Sequence, residues 1–248
     1  MKKNTQRFSD RVEDYVKYRP HYPKQIIDLL IDAQVLNKNK IIADIGSGTG
    51  ISCLPFLQND NKVFGVEPNQ EMREASEHIF SEYENFESIN GTAENTTLQN
   101  NSIDIIFCGQ AFHWFDRTLC KKEFNRILKK DGNIILAWNS RSTKSEFQKA
   151  YEKTLLKNIK AYQFVNHRNI SDKEIASFCL PKKLNILSLK NQQIFDLESL
   201  KGRLLSSSYS PKEGQEYDNL MVKIEALFEQ YQNDNKVIFE YETKIYWS

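Results

Sequence analysis

Five short apolar runs alternate with amphipathic stretches between residues 40 and 139, and this rhythm constrains the fold more than any other feature of the chain. The runs are KIIADIG (40–46), KVFGVEP (62–68), FESIN (86–90), SIDIIFCG (102–109) and NIILAWN (133–139). Each is too short for a stable helix and is bounded by turn residues, which reads as a strand. The stretches KQIIDLLIDAQVL (24–36), NQEMREASEHIFSEY (69–83) and RTLCKKEFNRILKK (117–130) have helical periodicity. A further short helix is expected from about Thr49, with Pro55 in its first turns, where a missing N–H costs nothing. Strand and helix in alternation predict an α/β fold with a doubly wound, mostly parallel sheet.

Seven of the nine glycines fall between 46 and 132, so the tight turns belong to the first half. The second half predicts longer helices over 144–162, 171–179, 197–207 and 212–232. LNILSLKNQQIFD (184–196) and KVIFEYETKIYW (236–247) alternate as strands, making seven in all. We expect one domain over 1–248. Within it, 24–139 is the ligand-binding core, 140–248 a helical cap with the last two strands, and 1–23 an N-terminal lid.

The net charge of +1 argues against a surface that coats nucleic acid. KKEFNRILKK (121–130) is expected to be a solvated helix face. Cys53, Cys108, Cys120 and Cys179 form no C-x-x-C pair and have no neighbouring histidines, which predicts reduced thiols and no metal. The polar start predicts no signal peptide, and no apolar run reaches the roughly 18 residues of a membrane helix. A cytoplasmic protein is expected, without nucleic-acid or membrane partners; no sequence signal bears on oligomeric state.

The loop DIGSGTG (44–50) follows the first strand and opens a helix. Its glycines, Gly46, Gly48 and Gly50, read G-x-G-x-G, whereas a dinucleotide fingerprint needs G-x-G-x-x-G. Glu67 ends the second strand 21 residues after Gly46. A carboxylate there accepts from both hydroxyls of a ribose and repels a 2′-phosphate.

ADIGSGTG (43–50), GVEPNQEM (65–72), GTAENTTLQNNSIDII (91–106) and FNRILKKDGNIIL (124–136) together resemble class I S-adenosylmethionine-dependent methyltransferases, in register over about 100 residues. FSDRVEDYVKYRPHYP (8–23) and GQAFHWFD (109–116) look like the small-molecule branch that includes trans-aconitate methyltransferase-like proteins. The likeness is looser after residue 140. It implies a Rossmann-like methyltransferase fold with helical insertions forming a lid. It also implies S-adenosylmethionine as cofactor, S-adenosylhomocysteine as product, and a small-molecule substrate.

Position by position, the resemblance implies that Gly46, Ser47, Gly48 and Gly50 pass close to the methionine part of the cofactor, with Asp44 near its amino group. Glu67 and Pro68 would lie at the ribose, and Met72 on the adenine face. Ala93 and Glu94 would meet the adenine edge, and Gln110 the methionine side. Residues after the fourth strand, here QAFHWF, face the methyl group in this family, which makes His113 and Trp114 the candidate catalytic residues. A carboxylate acceptor is already a nucleophile, and His113 would orient it. A hydroxyl or amine would need His113 as base. Trp114 would supply an apolar wall.

Pro20 and Pro23 force YVKYRPHYP (15–23) into turns. Arg19 is the candidate to pair with a carboxylate of cofactor or substrate, since its fork matches two oxygens. His21 reads as a surface residue. SSSYSP (206–211) reads as a helix end and turn; otherwise Arg203 or Tyr209 would reach the substrate. The reading favoured is methyl transfer to a small carboxylic acid. Its alternatives are methylation of protein or nucleic acid, cofactor binding without turnover, and a nicotinamide reductase. The Asn/Asp-Pro-Pro-aromatic motif of nucleic-acid amine methylation is missing after the fourth strand, and no Tyr-x-x-x-Lys pair supports the reductase.

Overall fold

A computed structural model describes residues 11–164 and 170–248. The chain begins there with α1 (Val12–Tyr18) and α2 (Gln25–Asp32). It then alternates through β1 (Ile41–Ile45), α3 (Leu54–Gln58), β2 (Lys62–Val66), α4 (Gln70–Ile79), β3 (Phe86–Ile89), β4 (Ile103–Gly109), α5 (Arg117–Ile127) and β5 (Leu128–Arg141). The second half supplies α6 (Glu146–Asn158), α7 (Asp172–Cys179), β6 (Asn185–Phe195), α8 (Leu197–Leu205), α9 (Gln215–Tyr231) and β7 (Val237–Trp247).

The seven strands make one sheet in the order β3-β2-β1-β4-β5-β7-β6. β1 to β5 run parallel to one another; β7 pairs antiparallel with both β5 and β6. The expected doubly wound, mostly parallel sheet is the one observed. Its strand order reverses at β1 and β4, so the turns after these two strands diverge and leave a crevice at their carboxyl ends.

Each strand divides its apolar residues between two faces. Ile134, Leu136 and Trp138 of β5 pack with Cys120, Phe124 and Ile127 of α5 and with Phe178 of α7. Ile135 and Ala137 pack on the other face with Ile26 and Leu30 of α2 and Phe56 of α3. A third core, with Tyr151, Leu200, Leu204, Ile224 and Phe239 at its centre, joins α6, α8 and α9 to β7.

Local chemistry sets the element ends. Asn69 caps α4 by accepting from the Met72 amide at 2.8 Å, and Asp116 caps α5 by accepting from Thr118 and Leu119. Pro55 lies in the first turn of α3. α5 stops at Ile127, three residues short of the expected end, because Leu128 joins the sheet opposite Ile103 and Lys129 pairs with Asp104 at 2.7 Å. The basic face of α5 also departs from a freely solvated stripe. Lys121 donates to the carbonyls of Phe178 and Leu180, and Arg126 pairs with Glu123 at 2.6 Å. No helix among the described residues is long and apolar enough to cross a membrane.

Candidate functional site

The DIGSGTG loop leaves β1 at the switch point and folds over the end of β2. The amides of Gly46 and Ser47 donate to the Val66 carbonyl at 2.8 and 3.2 Å. Gly46 has φ +72°, and a Cβ there would stand 2.7 Å from the Ala111 side chain, so only glycine brings this loop against the turn after β4. Gly48 has φ +57°, and no heavy atom lies within 4 Å of where its Cβ would be. A left-handed residue facing open space at a strand end is a cradle for a ligand.

Two carboxylates flank the cradle. Asp44 is fully buried. Its Oδ2 accepts from Ser52 Oγ at 2.5 Å and Cys53 Sγ at 3.2 Å, while Oδ1 has no hydrogen-bond partner. Burial pushes its pKa up to about 6, against the pull of the Ser52 and Cys53 bonds. Glu67, half-buried, accepts from the Gly48 amide with Oε2 at 3.0 Å and from the Asn69 amide with Oε1 at 2.9 Å. Burial raises its pKa too, opposed by those two amides.

The Tyr22 hydroxyl and Thr49 Oγ1 are likewise buried without a partner. Tyr22 sits over Gly109, at the end of β4, within electrostatic range of Asp44. Buried polar atoms are nearly always satisfied, so three orphans around one open loop call for a ligand with donors and acceptors. A ligand bearing an ammonium and a sulfonium suits a buried carboxylate that forms no ion pair among the described residues. A pyrophosphate would be repelled by it. The residues present therefore fit S-adenosylmethionine: Asp44 could hold an amino group and Glu67 a ribose diol, with Tyr22 and Thr49 in reach of further polar atoms.

Sequence reasoning missed Ser52, which holds Asp44, and saw Tyr22 only as lid. No local motif marks either one; only the fold sets them against β1. Among the residues it did name, Met72 and Ala93 are buried and Pro68 is half-buried. Glu94 Oε1 accepts from the Asp116 amide at 2.9 Å, which ties this loop to the start of α5.

Gln110 follows β4 with φ +56°, a conformation costing roughly 1–2 kcal/mol outside glycine. Its amide donates to Ala137 O at 2.9 Å and its side chain to Asn139 O at 3.0 Å, fixing the turn to the end of β5. Such strain at a strand end points to function. A single 3₁₀ turn follows, Phe112–Trp114. His113 is half-buried with its ring 4.6 Å from that of Trp114, which is 38% exposed. The side chains of Ala111 and Phe115 stand nearest to Gly46 of the glycine loop.

Arg19 ends α1. It donates to Ser206 O at 2.8 Å and lies over the Tyr15 ring, so its described contacts run to the C-terminal end of α8. His21 is exposed. Residues 1–10 of the expected lid lie outside the described residues. Among the described residues no cluster of His, Cys, Asp and Glu could hold a metal, and the four cysteines are free and buried.

Residues 43–136 match the methyltransferase domain family. A methyltransferase-like protein of Schizosaccharomyces pombe is 32% identical over 135 residues, covering 54% of this chain and 52% of that protein. A malonyl-[acyl-carrier protein] O-methyltransferase of Marinomonas is 26% identical over 148 residues, covering 58% of this chain and 54% of that one. The matched stretch thus spans about half the length of these relatives. The YcgJ protein structure from Bacillus subtilis shares the fold with a TM-score of 0.57, covering 91% of this chain and 97% of that one at 19% identity. Over residues 43–136 the chain is thus similar to methyltransferase domains, and its seven-stranded sheet shares the fold of the YcgJ protein.

Proposed function

We propose that the chain moves a methyl group from S-adenosylmethionine to the carboxylate of a small molecule, giving a methyl ester and S-adenosylhomocysteine. The observation that carries the reading is the open cradle at Gly48 between the buried Asp44, which keeps an unsatisfied oxygen, and the half-buried Glu67. When bound, S-adenosylmethionine supplies an electrophilic methyl on sulfur. Asp44 holds the ammonium end, and Glu67 orients the ribose. Gln110, fixed in its left-handed turn, sets the distance between the glycine loop and the acceptor. His113 donates to one oxygen of the acceptor and aims the other at the methyl carbon. An ionised carboxylate needs no base, so the protein's contribution is alignment and exclusion of water. The O-methyltransferase among the relatives, named for a malonyl group, supports an oxygen acceptor. The missing amine-methylation motif and near-zero net charge support a small molecule over nucleic acid. Four free buried thiols support a cytoplasmic setting. The chain acts as one domain, with 24–139 as cofactor core, 140–248 as cap and 1–23 as lid.

The test uses methyl-labelled S-adenosylmethionine with a metabolite extract. Label in small, organic-extractable, base-labile products is the expected outcome. Label on macromolecules overturns the small-molecule reading. Tight cofactor binding without transfer to any fraction overturns turnover itself.

A further inference from the structure

Among the described residues the guanidinium of Arg203, on α8, has only neutral oxygens as hydrogen-bond partners: Tyr241 Oη at 3.4 Å from Nε and Ser207 Oγ at 3.2 Å from Nη1. Two further arginines stand around it. Arg141, the last residue of β5, has a side chain only 10% exposed. It is paired through Nη2 with Glu152 and with the Tyr162 hydroxyl at 3.1 Å, and it lies over the Tyr151 ring at 4.6 Å. Its Nε is buried without an acceptor. Arg19 approaches from α1; burial and the nearby Arg203 charge together push its pKa down to about 10. Tyrosines fill the space between the arginines. Tyr209 meets Tyr162 edge to face at 4.8 Å, and the Tyr241 hydroxyl donates to Gln193.

Folding alone does not account for this grouping. A guanidinium in a low-dielectric site is ordinarily held by a carboxylate, and bringing like charges together there is unfavourable. Arg11 and Arg19 have structural employment, since they donate to the carbonyls of Leu205, Ser206, Ser207 and Ser210 at the end of α8. Arg203 takes none of these carbonyls and, among the described residues, no carboxylate. The cluster also adjoins the proposed transfer segment. Asn139, two residues before Arg141 on β5, receives Gln110 at its carbonyl and donates to the carbonyls of Pro20 and His21.

We propose that Arg203, flanked by Arg141 and Tyr241, binds a second oxyanion of the methyl acceptor, so that the substrate carries two anionic groups, one methylated and one held. This rests on the reading of the chain as a small-molecule methyltransferase. The guanidinium fork takes two oxygens of a carboxylate or phosphate, and tyrosine hydroxyls donate to them. The held group fixes which end of the substrate faces His113 and makes Arg203 the specificity-determining residue.

The experiment is calorimetric titration of the full chain with glutarate and with inorganic phosphate, without cofactor, for wild type, Arg203→Met and Arg203→Lys. Wild type is expected to bind at least one probe. The methionine variant should lose about tenfold or more in affinity, and the lysine variant, which keeps charge without the fork, less. Preference for glutarate assigns a carboxylate tail and preference for phosphate a phosphorylated one. S-adenosylmethionine titrated separately into the methionine variant reports that it is folded. In anion-free buffer this variant should melt no lower than wild type, because an unpaired charge has been removed. Binding of neither probe to wild type, or equal binding to wild type and Arg203→Met, overturns the proposal. Failure of wild type to bind S-adenosylmethionine instead strikes the methyltransferase reading and leaves the anion result standing.

Discussion

Glu67 Oε2 accepts the Gly48 amide at 3.0 Å, so the carboxylate at the end of β2 and the glycine loop after β1 form one unit. The same carboxylate is the ribose acceptor in the proposed complex. Removing it takes away a ligand contact and also leaves the Gly48 and Asn69 amides unpaired. We expect Glu67→Ala to weaken S-adenosylmethionine binding by about 1–3 kcal/mol, the usual cost of stranding buried polar partners. Glu67→Gln keeps an acceptor and should lose less. Calorimetric titration measures both, and unchanged affinity in the alanine variant would remove Glu67 from the ribose.

Asp44 makes cofactor binding and stability depend on pH in opposite directions. Its pKa is pushed up to about 6 from an ordinary 3.8. Between those values the unfolded chain releases the proton while the folded chain keeps it. Stability therefore falls as pH rises from 3.8 to about 6, and the loss is complete above that. The full loss is about 3 kcal/mol at 1.36 kcal/mol per unit. Asp44→Asn should recover a large part of this at pH 7.5 and almost none at pH 4, by urea denaturation. The ammonium of the cofactor prefers the ionised carboxylate, so wild-type affinity should fall as pH drops through about 6. A flat wild-type profile would take Asp44 away from the amino group.

The sheet was legible because its first five strands are local. Each is a short apolar run closed by a turn, and period-two packing then fixes both faces. The end of α5 was not, since Leu128 is as good a helix former as a strand former and only its partner Ile103 decides. The position of Glu67 beside the glycine loop followed from spacing, because only one helix and one strand of ordinary length, α3 and β2, separate them. The arginine cluster was not readable: its members come from α1, β5 and α8, and nothing near any one of them in sequence signals the others. Tyr22 and Ser52 were hidden for the same reason, being brought to Asp44 by packing and not by spacing.

His113 is expected to matter for transfer and not for cofactor affinity. With a carboxylate acceptor it donates one hydrogen bond and removes no proton. His113→Ala should lower kcat by about tenfold or more through lost alignment, leaving S-adenosylmethionine affinity as in wild type. His113→Gln, which keeps a donor, should recover part of the rate. Neither variant should remove a basic limb from the rate–pH profile, whereas loss of a general base would. Full activity in His113→Ala would reduce the residue to a packing partner of Trp114.

Gly202 on α8 is where the N-terminal segment docks. A Cβ at this position would stand 2.1 Å from the Tyr18 ring, and Arg11 and Arg19 reinforce the contact by donating to the α8 end. Gly202→Ala has no flexible neighbour to displace, since Tyr18 is itself buried and its carbonyl accepts from Gln193 at 3.2 Å. We expect a loss of about 1–3 kcal/mol from overpacking, read by urea denaturation. Limited proteolysis should cut faster within residues 19–24 as α1 leaves its seat. Adding Tyr18→Ala removes the clash, so the double variant should be less destabilised than the sum of the two single ones. An undocked α1 also withdraws Arg19 from beside Arg203. The glycine variant should then raise the KM for the methyl acceptor while leaving S-adenosylmethionine affinity in place. Strict additivity of the two substitutions would show that α1 is not held through this contact.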